Sequence, residues 1–368
     1  MAIQIDPWSD SIPQDYAKLM EDFGIKSFEK IAEKTPDPSH LMRRKIIFGH
    51  RDFERILKAI KKENDYVVMT GLMPSGRMHL GHKLVVDELI WYQDHDAKIY
   101  LCVADLESHI TREISLQEAR EAAINEYLTN FQALGLNLEE CNLYFQSQSD
   151  VVQKLAHTLG NKVNFSELKA IYGFGGDSNV SHIFYPMIDV ADILHPQLEE
   201  FEGPTPSIVP VGIDQDPHLR LARDVARRSE NDYGFILPSS TYHRLMPGLT
   251  GGKMSSSKPK SAIFLTDSIE EVEKKVADAI TGGGHTVEEQ KKEGGSPDEC
   301  IIYSLYVYHL MPDDEELLEL RKACESGKLI CGDCKKKAIK FLNKFLKNHK
   351  KNRKSVKKKI GKIIEDHS

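Results

Sequence analysis

The apolar positions of this chain follow two different rhythms. The run Tyr66-Val67-Val68-Met69-Thr70 is continuous, which predicts a strand buried on both faces. Pro74-Ser75-Gly76 breaks it. From His79 to about Gln93, Leu80, Leu84, Leu89 and Ile90 fall near one face, which predicts a helix. Ile99 to Val103 reads as a second strand, ending at Asp105. Ser115-Leu116-Gln117-Glu118 is a capping box, and its helix runs to Gly135, a natural stop. Leu143-Tyr144-Phe145 reads as a third strand. Strand alternating with helix is the signature of a parallel sheet with crossover helices.

Between about 150 and 200 the rhythm loosens around a glycine cluster, Gly173 to Gly176, and predicts mostly helical material inserted into the sheet domain. Ile208 to Ile213 returns as a strand, with Pro210 limiting its pairing. Asp216 then opens a helix through Arg228, with Pro217 suited to its first turn. After Ile263-Phe264-Leu265 the pattern becomes helical throughout. Ser268 to Glu271 and Thr286 to Glu289 are further capping boxes. Ile339, Leu342, Leu346, Val356, Ile360 and Ile363 recur at helical spacing, predicting an amphipathic terminal helix. The expected fold is α/β: a Rossmann-like, doubly wound parallel sheet with a helical insertion, followed by an all-α C-terminal domain. The expected divisions are an N-terminal extension over 1–62, a catalytic domain over 63–262 and a helical domain over 263–368.

Composition changes this picture in two places. With 40% apolar and 29% charged residues the chain reads as an ordinary globular protein. No run reaches membrane-spanning length, and the N-terminus lacks the pattern of a signal peptide, so the cytoplasm is the expected location. The net charge of −7, however, conceals a segregation. Residues 335–364 hold thirteen lysines and Arg353 with no acid, leaving the rest of the chain strongly acidic. Such a basic tail is suited to a polyanion. The second place is the cysteines. Cys331-Gly332-Asp333-Cys334, with Cys300 and Cys324 upstream, has no second CxxC or histidine pair to complete a zinc pattern, so the expectation is reduced thiols and no metal site.

Three segments carry candidate chemistry. His79-Leu80-Gly81-His82 opens a helix directly after a strand and a turn. A helix start offers free N–H groups and a positive dipole end to phosphate. The two histidines are three apart, hence one turn apart on the same side, and Gly81 lets a flat base approach the backbone. Gly252-Lys253-Met254-Ser255-Ser256-Ser257, about 170 residues later, supplies a cation on a small polar loop and a run of hydroxyls. The glycine spacing of a P-loop is absent. Gly212-Ile213-Asp214-Gln215-Asp216 ends a strand, where open α/β sheets bind ligands, although Asp214 or Asp216 could simply cap the next helix. Glu107, just past the second strand, is a fourth candidate. Each segment alone is also a solvated turn.

Together, in this order, the first two resemble the HIGH and KMSKS signatures of the class I aminoacyl-tRNA synthetases. A finer resemblance, to the tryptophanyl branch of archaeal and eukaryotic type, rests on several segments. They are Asp6-Pro7-Trp8, the segment from Gly212 to His218, Ile263-Phe264-Leu265-Thr266-Asp267, and Thr281-Gly282-Gly283-Gly284 with Glu293-Gly294-Gly295. The resemblance implies a homodimer that activates an aromatic amino acid with ATP and Mg²⁺, without an organic cofactor, and transfers it to its cognate tRNA. It implies that His79, His82, Lys253 and Ser255 to Ser257 are catalytic. It places Pro74, Ser75, Gly76, Gly81, Gly212, Asp214 and Met254 around ATP. Glu107, Gln215, Gly71, Asp189 and Asp192 fall around L-tryptophan. The tyrosine and glutamine that read the indole N–H in the eukaryotic pattern fall here on Met69 and Cys102, and a further family glutamine falls on Asp189, so the acceptor is Asp192 or Asp189. Tyrosine as substrate, or a tRNA-binding relative without activity, are the alternative implications.

Overall fold

The computed structural model describes residues 15–284 and 286–366; Asp6-Pro7-Trp8 lies outside them. Seven strands form one sheet: β1 (Lys26–Ser27), β2 (Ile47–Arg51), β3 (Val67–Leu72), β4 (Lys98–Val103), β5 (Cys141–Phe145), β6 (Ser207–Gly212) and β7 (Ser239–His243). Their order is β1-β2-β7-β6-β3-β4-β5. The five strands from β7 to β5 are parallel; the alternating pattern predicts four of them and misses β7. β1 and β2 add an antiparallel edge that the hydrophobic pattern does not announce. β1 is two residues long, and the five residues of β7, on which β2 leans, are polar or aromatic yet all buried.

Strand β3 shows why the central run is uniformly apolar. Val68 and Leu72 enter one hydrophobic cluster, while Val67 and Met69 enter another on the opposite face. Both faces are covered, so alternation is lost. The chain winds outward through β4 and β5, then returns to β6 on the other side of β3. That reversal is the topological switch point of a doubly wound sheet, and a crevice opens there at the strand C-termini. Hydrogen-bond pairing of β3 with β6 covers only Val67↔Ser207 and Val68↔Ile208, ending two residues before Pro210.

Four helices frame that crevice or carry charge: α1 (Leu80–Gln93), α2 (Val180–Leu194), α3 (Asp216–Arg228) and α4 (Cys331–Asp366). The segment over 150–200 is helical, and its α2 packs with Val67 and Met69. After Leu265 every described regular element is helical. These C-terminal helices join the cluster that contains Leu80 and Leu84 of α1. His309 Nε2 meets the Leu80 carbonyl at 2.9 Å, tying the C-terminal half to the first turn of α1. The glycines of the 282–284 and 294–295 turns have a steric reason. Gly294 has φ 81°, and a side chain there would strike the Glu325 backbone.

α4 is one helix of 36 residues. Ala338, Leu342, Leu346, Ile360 and Ile363 are buried along it, and of its thirteen lysines all but Lys335 are exposed. His349 Nε2 lies 2.7 Å from Asn130 Oδ1, docking the helix on the catalytic half. The six cysteines are free. Cys331 Sγ accepts from Gln290 Nε2 at 3.2 Å. Among the described residues no group of three or more His, Cys, Asp or Glu is arranged to hold a metal ion, and no helix is long and apolar enough to cross a membrane.

Candidate active site

A cavity of about 510 Å³ occupies the crevice at the switch point. That volume lies within the usual range for small-ligand sites. Its walls include Gly71, Ser75, His79, Gly81, His82, Glu107, Asp189, Asp192, Gly212, Asp214, Gln215, Lys253, Met254 and Ser255 to Ser257. Residues separated by up to 186 positions in the chain are thus brought to one surface. Pro74 and Gly76 are not among the lining residues. Pro74 is buried and its carbonyl accepts from Ser108 Oγ at 3.1 Å. Asp216 is also outside the cavity. It is fully buried, takes hydrogen bonds from Tyr242 Oη and Arg51, and anchors the start of α3 to β7 and β2.

The helix start of α1 is closed by a reciprocal cap. His79 Nδ1 accepts from the Gly81 N–H at 3.0 Å, and His82 Nδ1 accepts from the His79 N–H at 3.1 Å. Both Nδ1 atoms are acceptors, so each neutral ring carries its proton on Nε2. The rings lie 3.9 Å apart. Gly81 is needed for this fold-back, because a Cβ there would sit 2.9 Å from His79 Cε1. Burial, the neighbouring ring and Lys253 hold His79 well below the usual histidine value. Burial and Lys253 push His82 down to about 4. The pair therefore offers two neutral N–H donors rather than two cations.

The cation comes from the serine loop. Lys253 Nζ rests 3.1 Å from Asp214 Oδ2. Met254 is buried against the core and its N–H bonds the Met246 carbonyl, so the loop has one anchored residue beside the lysine. Ser256 Oγ donates to the Arg77 carbonyl at 2.9 Å, and Ser255 and Ser257 bond each other. The segment after the loop joins both motifs: the Leu80 N–H bonds Ile263 O, and the Leu265 N–H bonds Met78 O.

The opposite wall is acidic and aromatic. Tyr185, Asp189 and Asp192 project from one side of α2 into it. Asp192 accepts from Tyr144 Oη at 2.7 Å, from Gln146 Nε2 at 2.5 Å and from Cys102 Sγ at 3.6 Å. Burial pushes its carboxyl up to about 7, against the pull of Tyr144 and Gln146. Asp189 Oδ2 lies 2.9 Å from His218 Nδ1. Burial alone would lower His218, but Asp189 overrides it and the histidine is raised. Gln146, Tyr185 and His218 are cavity residues that sequence reasoning did not single out. Gln146 sits in a short turn after β5 with no motif around it. His218 closes the GIDQDPH segment, which was the available signal.

Buried histidines also set an acid response. His82, His195 and His349 are each held down to about 4, against roughly 6.5 in the unfolded chain. Between these values the unfolded chain takes up protons that the folded chain refuses, so stability is lost as pH falls. His79 and His309 act on the same side. Asp192 and His218, both raised, act on the other. The melting temperature is expected to drop between about pH 6.5 and pH 4.5. His349→Gln is expected to flatten that drop. An equal drop in the variant would show that His349 takes no part.

Comparison with known proteins places this geometry among relatives. The family profile described as tRNA synthetases class I (W and Y) matches residues 61–347. The tryptophan–tRNA ligase of Methanocaldococcus jannaschii is 52% identical over 338 residues, covering 91% of each chain. The crystal structure of the tryptophanyl-tRNA synthetase from Aeropyrum pernix superposes with a TM-score of 0.91 at 43% identity, covering 95% of this chain and 96% of that one. A tryptophanyl-tRNA synthetase from Encephalitozoon cuniculi, solved bound to tryptophan, matches with a TM-score of 0.84 at 26% identity, covering 96% and 98%.

Proposed function

The chain belongs to the class I tRNA synthetases of the tryptophan and tyrosine type, and from that premise we propose that it is a tryptophan–tRNA ligase. It joins L-tryptophan to ATP, forming tryptophanyl-adenylate and pyrophosphate, then transfers tryptophan to the 3′-terminal adenosine of its cognate tRNA. The observation that carries this reading is one cavity lined both by groups suited to phosphate, His79, His82 and Lys253, and by the carboxylates of Glu107 and Asp189 with the amide of Gln215.

In the first step a carboxylate oxygen of tryptophan attacks the α-phosphorus of ATP, and the bond to the β-phosphate oxygen breaks. The protein supplies position and charge stabilisation. His79 and His82 donate through Nε2–H to phosphate oxygens. Gly81 and Met254 border the adenine, with Ser75 near the phosphates. Gly212 and Asp214 take the ribose. A ribose on Asp214 displaces Lys253 from its resting partner, and the freed ammonium follows the leaving pyrophosphate with Ser255 to Ser257. Glu107 and Gln215 hold the substrate ammonium, with Gly71 leaving room for the amino acid. Mg²⁺ would accompany ATP as part of the substrate and would offset the charge of its phosphates. In the second step a ribose hydroxyl of the tRNA end attacks the adenylate carbonyl and AMP leaves.

The exposed lysines of α4 then meet tRNA phosphates, two copies of the chain form the working dimer, and the cytoplasm is the site of action. Replacing Lys350, Lys351, Lys354 and Lys358 by glutamine is expected to weaken tRNA binding. It also lowers the salt slope, by roughly 0.7–0.9 for each lysine that meets a phosphate. An unchanged slope would take the tail out of the interface. Charging of tRNA by the purified protein tests the whole reaction: ATP-dependent attachment of tryptophan supports it, and tRNA binding without charging by any amino acid contradicts it.

A further inference from the structure

The helix that starts at the Ser115 cap changes its winding beside the HLGH segment. Ala123–Leu128 forms a π-helical turn between the α-helical stretches Leu116–Ala122 and Thr129–Leu134. Such turns are rare and collect at functional sites. Two successive residues of this one, Glu126 and Tyr127, hold the backbone that leads into His79. Glu126 Oε1 accepts the Met78 N–H at 3.0 Å. Tyr127 Oη accepts the Ser75 N–H at 3.4 Å, and its ring stands edge-on to His82 with centroids 5.7 Å apart. Because the Leu265 N–H bonds Met78 O, the residue before His79 is held on both sides. The same turn is also gripped by α4. Arg353 Nη2 donates to the Asn125 carbonyl at 3.1 Å and to Glu126 Oε2 at 3.2 Å. His349 and Asn352 bond Asn130 and the Ala133 carbonyl farther along that helix. Unlike the exposed lysines around it, Arg353 is mostly enclosed, with 19% of its side chain exposed against 17% for Glu126.

We propose that Glu126, anchored by Arg353 of α4, is a positioning residue for adenylate formation: it fixes the Met78 N–H and, through it, the entry of His79 into the phosphate site. This rests on the tryptophan–tRNA ligase reading. The carboxylate has one oxygen for the backbone and one for the arginine, so it serves both at once. With both oxygens engaged it has little freedom to turn, and its charge strengthens the bond to the N–H. Met78 immediately precedes His79, so a shift of the Met78 backbone moves the Nε2–H donor directly. A misplacement of about 1 Å is enough to cost about 10²-fold in rate. Glu126 is not among the residues that line the cavity, whereas Tyr127 is. It therefore acts through the backbone it holds and not by touching a substrate. The helix that carries the tail lysines thus meets the catalytic half at the residue that keeps the HLGH segment in place.

The experiment is ATP–pyrophosphate exchange with L-tryptophan and no tRNA, reading kcat and the KM of each substrate. Glu126→Ala is expected to lower kcat/KM for ATP by about tenfold or more, while the KM for tryptophan stays within about twofold. The unchanged tryptophan KM shows in the same sample that the variant is folded. Glu126→Gln keeps an acceptor for the Met78 N–H and is expected to recover most of the loss. Arg353→Met is expected to lower kcat/KM for ATP by about threefold, since the Met78 bond survives without its anchor. In the double variant Glu126→Gln with Arg353→Met the two losses are expected not to add, because Arg353 acts on the site through Glu126. An undiminished kcat/KM for ATP in Glu126→Ala overturns the assignment. So does a rise in the KM for tryptophan that matches the loss for ATP, or full additivity in the double variant. Normal exchange by wild-type protein with an unaffected Glu126→Ala overturns this inference alone, whereas no exchange by wild-type protein with any amino acid overturns the parent reading and this one together.

Discussion

Lys253→Ala slows formation of the adenylate by about 10²–10³-fold while leaving the affinity for tryptophan nearly unchanged. The expectation follows from where the charge is and when it is needed. His79 and His82 are held neutral by burial and by Lys253 itself, so they contribute dipoles. Beside the two histidines the positive charge is that of Lys253, and Asp214 pairs with it in this structure. A group satisfied in the free enzyme and redirected only as pyrophosphate departs stabilises the transition state more than the ground state. Pre-steady-state measurement of adenylate formation, with tryptophan binding followed separately, checks both halves. An equal loss in tryptophan affinity would make the loop a structural support of the pocket instead.

His79→Ala and His79→Asn separate two duties that one side chain performs. Nδ1 caps the helix through the Gly81 N–H, and Nε2–H is left for phosphate. Asparagine retains a capping oxygen, and alanine does not. Loss of such a cap costs about 1 kcal/mol, so alanine is expected to lower the melting temperature by a few degrees and asparagine by much less. Neither shorter side chain reaches the phosphates. Both variants are therefore expected to slow adenylate formation by about 10²-fold. Thermal melts and single-turnover rates on the pair test this. Rates that track the melting temperature rather than the loss of Nε2 would reduce His79 to a structural cap.

The parts of this molecule that were legible in its sequence share a physical trait: their residues were chosen by one dominant demand. β3 is buried on both faces, so its residues read as a continuous apolar run. Gly81 must be small for His79 to fold back, so the HLGH spacing survives as a motif. Four of the five parallel strands, the helical insertion, the helical C-terminal half and the amphipathic α4 were legible for the same reason. What stayed hidden answers to partners far away in the chain. β7 is entirely buried yet carries serine, threonine and histidine, because Thr241 and His243 bond the buried Glu88 of α1. β2 looks unremarkable until its Arg51 is seen holding Asp216. Asp216 itself sits in a motif beside Asp214 and Gln215 but turns away from the cavity they line. Gln146 and His218 reach Asp192 and Asp189 through contacts that join residues 46 and 29 positions apart.

The most direct test of the account is pyrophosphate exchange into ATP by the purified protein, run in parallel with each of the twenty amino acids and no tRNA. The cavity, with neutral histidine donors and Lys253 on one side and Asp189 with Gln215 on the other, predicts exchange with tryptophan well above every other amino acid and its loss in Lys253→Ala. Exchange with tyrosine in place of tryptophan, or with no amino acid at all while tRNA still binds, would contradict it.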